Sequence, residues 1–406
     1  MRLVISFAAL LMSVVLVQLG SGALGPLDAL SGAALGFSTA QIGMLGSAHF
    51  VGFFVGCWAA PRMMGAIGHS RAFAAFAASG AIGALAHPLW PDPTAWAALR
   101  ALTGLAVAGA YTVVESWLQA KVDNSTRGRV VGIYRVVDLS ASLVAQAMIA
   151  VLPPASYVSY NIVAILCCLC LLPLTLSRAA APAMPLAPRL RPARAARLSP
   201  LAAAGVLVAG SSMPAFRMVG PVYGHEVGLD AEGIATFLAA AILGGAAAQI
   251  PIGWVADKMD RRHVLTGLSA ASAATCLGVA ADGGSSAAAA FAGAFAFGLF
   301  AFPIYSVSSA HANDFAEPDF VAELNASLMF IYGLGAIASP LSASLLLDRF
   351  GPGALFSFIA GLHGLLALFG LARMAVGRKA RARTPYRYLP RTSFVVGRLM
   401  RRRKDG

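Results

Sequence analysis

Charge is the scarcest property of this sequence. Only 12% of its 406 residues are Asp, Glu, Lys or Arg, where a soluble domain carries about a quarter. Cysteine is scarce too. Cys57, Cys167, Cys168, Cys170 and Cys276 all fall in apolar runs, and none has metal-ligand spacing with a histidine, which argues against zinc or a disulfide framework. No G-x-x-x-x-G-K-[ST] string is present, which argues against ATP-driven transport by this chain. No soluble catalytic domain is evident, so the sequence does not read as an enzyme and implies no cofactor. Asn, Gln and Trp are too sparse to suggest a sugar site.

What is abundant is apolar: 58% of the residues are hydrophobic. Runs at 3–24, 42–60, 162–176 and 287–301 are nearly uninterrupted. A bilayer-spanning helix needs roughly 20 mainly apolar residues, and the chain offers about twelve such stretches. The expected spans are 4–28, 40–60, 72–90, 95–119, 130–153 and 157–177, then 200–223, 231–256, 263–282, 286–310, 322–346 and 353–372. Arg2 followed by an apolar run and Ser21-Gly22-Ala23 shares features with a signal peptide. The run is long for a signal core, and its removal would leave an odd number of spans, so it reads as the first helix.

The net charge of +13 is distributed unevenly. Arg62 and Arg71, Lys121, Arg127 and Arg129, the stretch 189–197, Lys258, Arg261 and Arg262, and the tail from Arg373 alternate with nearly charge-free connections. With the N-terminus inside, only Arg100, Arg217 and Arg349 fall on the outer half. That is the positive-inside pattern of a multi-pass bacterial inner-membrane protein with both termini cytoplasmic. It removes the nucleic-acid reading that the net charge alone would invite. The expected organisation is a six-helix bundle over 1–177, a Pro- and Arg-rich linker over 178–199, a second bundle over 200–372 and a basic tail over 373–406. The tail is suited to anionic lipid.

The two halves echo each other. Gly36-Phe-Ser-Thr-Ala-Gln-Ile42 matches Gly228-Leu-Asp-Ala-Glu-Gly-Ile234 at the start of each second helix, Pro26 matches Pro221, and Tyr111 matches Tyr305. Two such repeats are what a rocking carrier needs, with its substrate site between them.

Several strings carry a family resemblance. Gly253-Trp-Val-Ala-Asp257-Lys258-Met-Asp260-Arg261-Arg262 resembles the G-x-x-x-D-[RK]-x-x-R-R loop of the major facilitator superfamily. The first-half loop, Pro61 to Arg71, lacks the acid. Arg100-x-x-x-Gly104-x-x-x-x-Gly109 is similar to the superfamily's helix-4 motif. Glu115-Ser116-Trp117-Leu118 with Asn124-Ser-Thr-Arg127-Gly128, and Phe302-Pro303-Ile-Tyr305 with Ala310-His311-Ala312-Asn313-Asp314, resemble one poorly characterised branch. The resemblance implies an all-α membrane protein, twelve transmembrane helices in two six-helix pseudo-repeats. It also implies that the loop at Gly253, Asp257, Lys258, Arg261 and Arg262 braces a closed cytoplasmic gate. The Arg of the helix-4 motif is often linked to proton coupling; Arg100 is either that group or an interfacial arginine.

Ionisable residues within spans are functional candidates, because each costs about 2.5–3.5 kcal/mol to insert. Glu115 lies six residues before Lys121, roughly 9 Å in, and Arg135 lies as far beyond Arg129. If helices 4 and 5 form a hairpin, Glu115 and Arg135 meet, with Asp138 and Tyr111 alongside. Desolvation favours the neutral form of a carboxyl, so this cluster is either a proton site or a structural triad. Gln18 is the strong polar group in the middle of helix 1. In the second half the candidates are Tyr305, His311, Asn313 and Arg217, the last able to attract an anion or to sit at the interface. Asp314 reads as a helix-end residue leaving the membrane, and His363 as a packed, satisfied histidine. The favoured function is secondary active transport of a small organic solute by alternating access, by a monomeric carrier coupled to protons and without a cofactor. The alternatives are a membrane receptor or scaffold, for which the tail is short, and a channel, for which no filter string exists.

Overall fold

Each second span opens on the same local device. Gly36 and Gly228 adopt φ of +80° and +83°, a backbone state that disfavours a side chain. Two residues later Ser38 caps the helix through Gln41 in a reciprocal capping box, and Asp230 caps its counterpart through the N–H of Gly233. The sequence echo between the halves is thus a repeated turn and cap.

The computed structural model describes residues 2–120, 127–176 and 189–376. The helices are α1 Arg2–Ala34, α2 Thr39–Ile67, α3 His69–Ala86, α4 Pro93–Ala120, α5 Arg127–Ile149, α6 Tyr157–Leu169, α7 Leu171–Thr175, α8 Pro192–Leu198, α9 Pro200–Glu226, α10 Ala231–Lys258, α11 Arg261–Asp282, α12 Ala287–Ala301, α13 Pro303–Asn313, α14 Val321–Phe350 and α15 Gly353–Val376. Among the described residues, twelve spans are long and apolar enough to cross a membrane. The sixth comprises α6 and α7, and the tenth comprises α12 and α13. Lys121 and Asn124, the linker residues 178–188 and the tail from 377 lie outside the described residues.

The chain forms two compact units, Met1–Ala187 and Pro188–Gly406. In the first, α1 packs against α5, α6 and α4, while α4 packs against α2 and α3. In the second, α9 packs against α14, α15 and α13, α10 against α12, and α11 against α15. Without a hydrophobic driving force between helices in lipid, close van der Waals approach carries much of this packing. Gly52 and Gly104 let α2 and α4 touch backbone to backbone, at Ala101 and His49. Gly244 and Gly298 do the same for α10 and α12, at Phe295 and Ala241. A side chain at any of the four would collide with a carbonyl.

One span and one connecting segment differ from expectation in ways that matter. α1 runs to Ala34 rather than 28, straight through Pro26, so Asp28 is inside the helix. The last part of the linker is also folded. Pro192 starts α8, as proline favours the first helical turn, and α8 lies against α14. Arg191 pairs with Glu323 at 3.3 Å and donates its N–H to Ser327 Oγ at 2.8 Å, and Arg194 stacks over Phe320 at 4.0 Å.

Candidate functional site

The first unit holds a buried polar cluster where α1 ends, α3 ends and α4 begins. Asp28, His87, Arg100 and Tyr160 are each at most 1% exposed. Tyr160 donates its hydroxyl to Asp28 Oδ1 at 2.9 Å. Arg100 Nε lies 3.3 Å from Asp28 Oδ2, and His87 Nε2 lies 3.6 Å from the same oxygen. The imidazole is held from both sides. Its Nδ1 sits 2.6 Å from the Gly83 carbonyl, its ring stacks on Tyr160 at 5.3 Å and 11°, and Trp96 donates to the His87 carbonyl at 2.9 Å. A carbonyl only accepts, so Nδ1 carries a hydrogen. That leaves Nε2 facing the Asp28 carboxylate, with a position between the two groups that one proton can occupy.

Arg100 is therefore a buried ion-pair partner and not an interfacial arginine. Asp28 and His87 were missed by the sequence reading. The available signal was an acid eight residues before the first loop glycine at 36, masked by Pro26.

The second cluster of this unit contains the residues anticipated in the inner half. Tyr111 donates its hydroxyl to Gln18 Oε1 at 3.0 Å, and Gln18 Nε2 donates to Ser142 Oγ at 2.6 Å. Gln18 thus ties α4 to α5 through α1. Glu115 is 5% exposed and accepts from the Tyr134 hydroxyl at 3.3 Å. The Arg135 guanidinium lies 5.4 Å from the Tyr134 ring, and Asp138 is buried on the same helix. Tyr134, absent from the sequence reading, links Glu115 and Arg135. Among the described residues α4 and α5 do not pack along their lengths as a hairpin; α1 lies against both.

In the second unit the loop after α10 is organised around Arg261. Its guanidinium is 1% exposed and reaches Asp314 at 2.6 Å, the Ala310 carbonyl at 3.1 Å and Asp257 at 3.2 Å. The Asp314 side chain is 3% exposed against 47% for Asp257, so the helix-end acid expected to leave the membrane is enclosed by its own protein partners. Asp260, not Asp257, caps α11. It accepts from the Arg262 N–H at 3.0 Å and from the Arg262 side chain at 2.8 Å, and these bonds pull its carboxyl down to about 2. Lys258 lies over Trp254 at 4.0 Å. Gly253 is buried on α10. In the first unit, His69 opens α3 as Arg261 opens α11, and its ring lies 5.6 Å from Trp117.

Next to Asp314, Asn313 and Asn325 exchange amide hydrogen bonds at 3.1 Å in both directions, and Ser309 donates to Asn325 at 2.9 Å. This closes α13 onto α14. His311 is buried against Phe315 at 5.2 Å. Tyr305 packs edge-on against Tyr332 at 5.4 Å, and Arg217 is exposed on α9. His363 is fully buried with neither ring nitrogen hydrogen-bonded to the described residues, contrary to the expectation of a satisfied histidine. Among the described residues no group of three or more His, Cys, Asp or Glu side chains is placed to hold a metal.

Comparison with known proteins places this arrangement. A protein of Yersinia pestis (strain Pestoides F) described as an uncharacterised MFS-type transporter is 27% identical over 356 residues, 86% of this chain and 89% of its own. An uncharacterised MFS-type transporter of Enterobacter sp. (strain 638) is 26% identical over 344 residues, 82% of this chain and 87% of its own. The crystal structure of the nucleoside transporter NupG superposes with a TM-score of 0.74 at 15% identity, over 90% of this chain and 98% of that one. A D-xylose–proton symporter superposes with a TM-score of 0.68 at 14% identity, over 94% and 99%. The sequence model of the Major Facilitator Superfamily matches residues 201–404, half of the chain. With twelve spans, a repeated cap and crossing in each unit, and this match, the chain belongs to the Major Facilitator Superfamily.

Proposed function

We propose that the protein is a proton-coupled secondary transporter of a small organic solute, working by alternating access in a bacterial inner membrane with both termini cytoplasmic. The observation that carries the coupling is the Asp28 cluster. When Asp28 is ionised it neutralises Arg100 inside the helix bundle. When a proton occupies the position between Asp28 Oδ2 and His87 Nε2, the Arg100 charge loses its counter-charge and the cluster gains one unit of positive charge. A net charge within a span is costly, so proton uptake changes which arrangement of the bundle is favoured. Glu115, with its Tyr134 donor, is a second carboxylate able to take part. A D-xylose–proton symporter shares the architecture, which is a precedent at the level of the fold. The basic loops and tail favour the stated orientation.

The test is uptake by proteoliposomes with and without an imposed pH gradient, using a ligand found by thermal shift. A compound that binds the folded state raises its melting temperature. Accumulation should require the gradient and collapse with a protonophore. Equal accumulation without the gradient rejects proton coupling, and a periplasmic signal from reporter fusions after Arg197 and Arg403 rejects the orientation.

A further inference from the structure

The second span of each unit ends on the same exposed device. On α2, Val51, Val55, Trp58 and Arg62 are all exposed, and their spacing puts them in one stripe along the helix. On α10 the exposed stripe runs through Leu243, Ile250, Trp254 and Lys258. In both, the cation four residues after the tryptophan folds back over the indole, at 3.9 Å for Arg62 and 4.0 Å for Lys258. An apolar stripe left open along a spanning helix suits hydrocarbon, and tryptophan is enriched where a span meets the headgroup layer.

The two devices differ in what surrounds the cation. Counted from Gly36 and Gly228, Gly65 and Gly68 stand where the second unit has Asp257 and Asp260, and His69 stands where it has Arg261. In the second unit those acids pair with Arg261 and Arg262. In the first, no acid occurs between Asp28 and Asp92. Arg62 and Arg71 are exposed, and among the described residues neither belongs to an ion pair. They lie on either side of the turn at Gly68, roughly 9 and 5 Å from it along their helices. Arg62 uses one nitrogen to donate to the Trp58 carbonyl at 2.8 Å, and a guanidinium has further N–H groups for an anion. This corner of the first unit is therefore cationic, aromatic and without an acid of its own.

We infer that Trp58, Arg62 and Arg71 bind the headgroup of an anionic phospholipid, whose phosphodiester supplies the negative charge that Asp257 and Asp260 supply in the second unit. The stripe singles out a lipid over a soluble anion. Val55 and Val51 continue from Trp58 along the same face, so an acyl chain lies on them while its phosphate meets the guanidinium groups. In the orientation proposed above the lipid belongs to the cytoplasmic leaflet. The site itself depends neither on that orientation nor on transport.

The experiment uses the full-length protein in phosphatidylcholine bilayers of symmetric composition, with a small fraction of phosphatidylglycerol or phosphatidylcholine carrying brominated acyl chains. Bromine quenches a nearby indole, and the difference between the parent protein and Trp58→Phe isolates the Trp58 signal. Phosphatidylglycerol should quench Trp58 more strongly than phosphatidylcholine at equal fraction. Arg62→Gln and Arg71→Gln should each lower that preference by about fivefold, the effect of one basic residue near a lipid surface. Arg62→Lys and Arg71→Lys should keep most of it, and Lys258→Gln should leave the Trp58 signal unchanged. The basic tail is present throughout, so its own attraction for the lipid cancels. Equal quenching of Trp58 by the two lipids overturns the proposal, as does a preference that survives Arg62→Gln with Arg71→Gln. Glycerol phosphate added in solution should not relieve the quenching, and relief at millimolar concentration overturns the assignment to a lipid. The preference of the parent protein is read without any arginine variant, so a folding defect in one of them does not shield the inference.

Discussion

The buried Arg261 guanidinium holds Asp314 at 2.6 Å and the more exposed Asp257 at 3.2 Å, so one arginine joins the loop after α10 to the end of α13. The two acids are not equivalent. Breaking a buried pair by removing one partner costs about 3–5 kcal/mol, whereas an exposed pair contributes about 0–1 kcal/mol. Asp314→Asn should lower the melting temperature strongly, and Asp257→Asn only slightly. Thiol labelling at the ends of α4 and α13 should rise more in the Asp314 variant. Equal effects of the two substitutions would show that burial does not set the two acids apart, and a larger effect of Asp257→Asn would show that the exposed acid carries the brace.

Asp28 invites a comparable test with a different outcome expected for transport. Asp28→Asn keeps an acceptor for the Tyr160 hydroxyl but leaves the Arg100 charge without its carboxylate. Stability should fall by about 3–5 kcal/mol, and Asp28→Asn with Arg100→Gln should recover much of it. The double variant should exchange solute across the membrane yet fail to accumulate it under a pH gradient. Gradient-driven accumulation by a folded double variant would remove Asp28 from the coupling.

The fold was legible because its signals are repeated and local: apolar stretches of spanning length, a glycine followed by a cap before each second span, and basic connections alternating with uncharged ones. Asp28 was not legible, because Gly25 and Pro26 resemble a helix end. In a bundle, neighbouring helices can satisfy the backbone groups a proline frees, and α1 continues to Ala34. The burial of Asp314 was not legible for a related reason. Its position at a helix end marked it as leaving the membrane, while the partner that buries it, Arg261, is distant in sequence. The Arg100 motif was recognised, but spacing along one helix could not say that its partner comes from α1.

Asp260 gives a pH dependence of definite sign. Its two kinds of bond from Arg262 hold its carboxyl at about 2, below the ordinary value of about 4. The ionised form is favoured in the folded state, so this contribution is complete above about pH 4 and is lost as pH falls through about 2. Asp260→Ala should cost about 1 kcal/mol near neutrality through loss of the cap, and the difference from the parent protein should shrink below pH 4. Melting curves over pH 2–7 in an acid-tolerant detergent measure it. A difference that grows on acidification would contradict the assignment of the cap to the ionised form.

Glu115 separates a proton role from a structural one through Tyr134. Glu115→Gln preserves a carbonyl oxygen for the Tyr134 hydroxyl, so the hydrogen bond at 3.3 Å survives while the charge and the titratable proton are lost. If Glu115 exchanges a proton during transport, this variant should melt close to the parent protein, bind solute and exchange it, and fail to accumulate it under a pH gradient. If the carboxylate instead serves to balance Arg135, the variant should lose stability, and Arg135→Gln should restore it. Tyr134→Phe isolates the hydrogen bond, whose removal should cost about 1 kcal/mol and leave coupling intact, because the carboxylate remains. The decisive pair of measurements is a melting curve beside gradient-driven uptake. A stable Glu115→Gln protein with full accumulation would assign Glu115 no part in proton coupling.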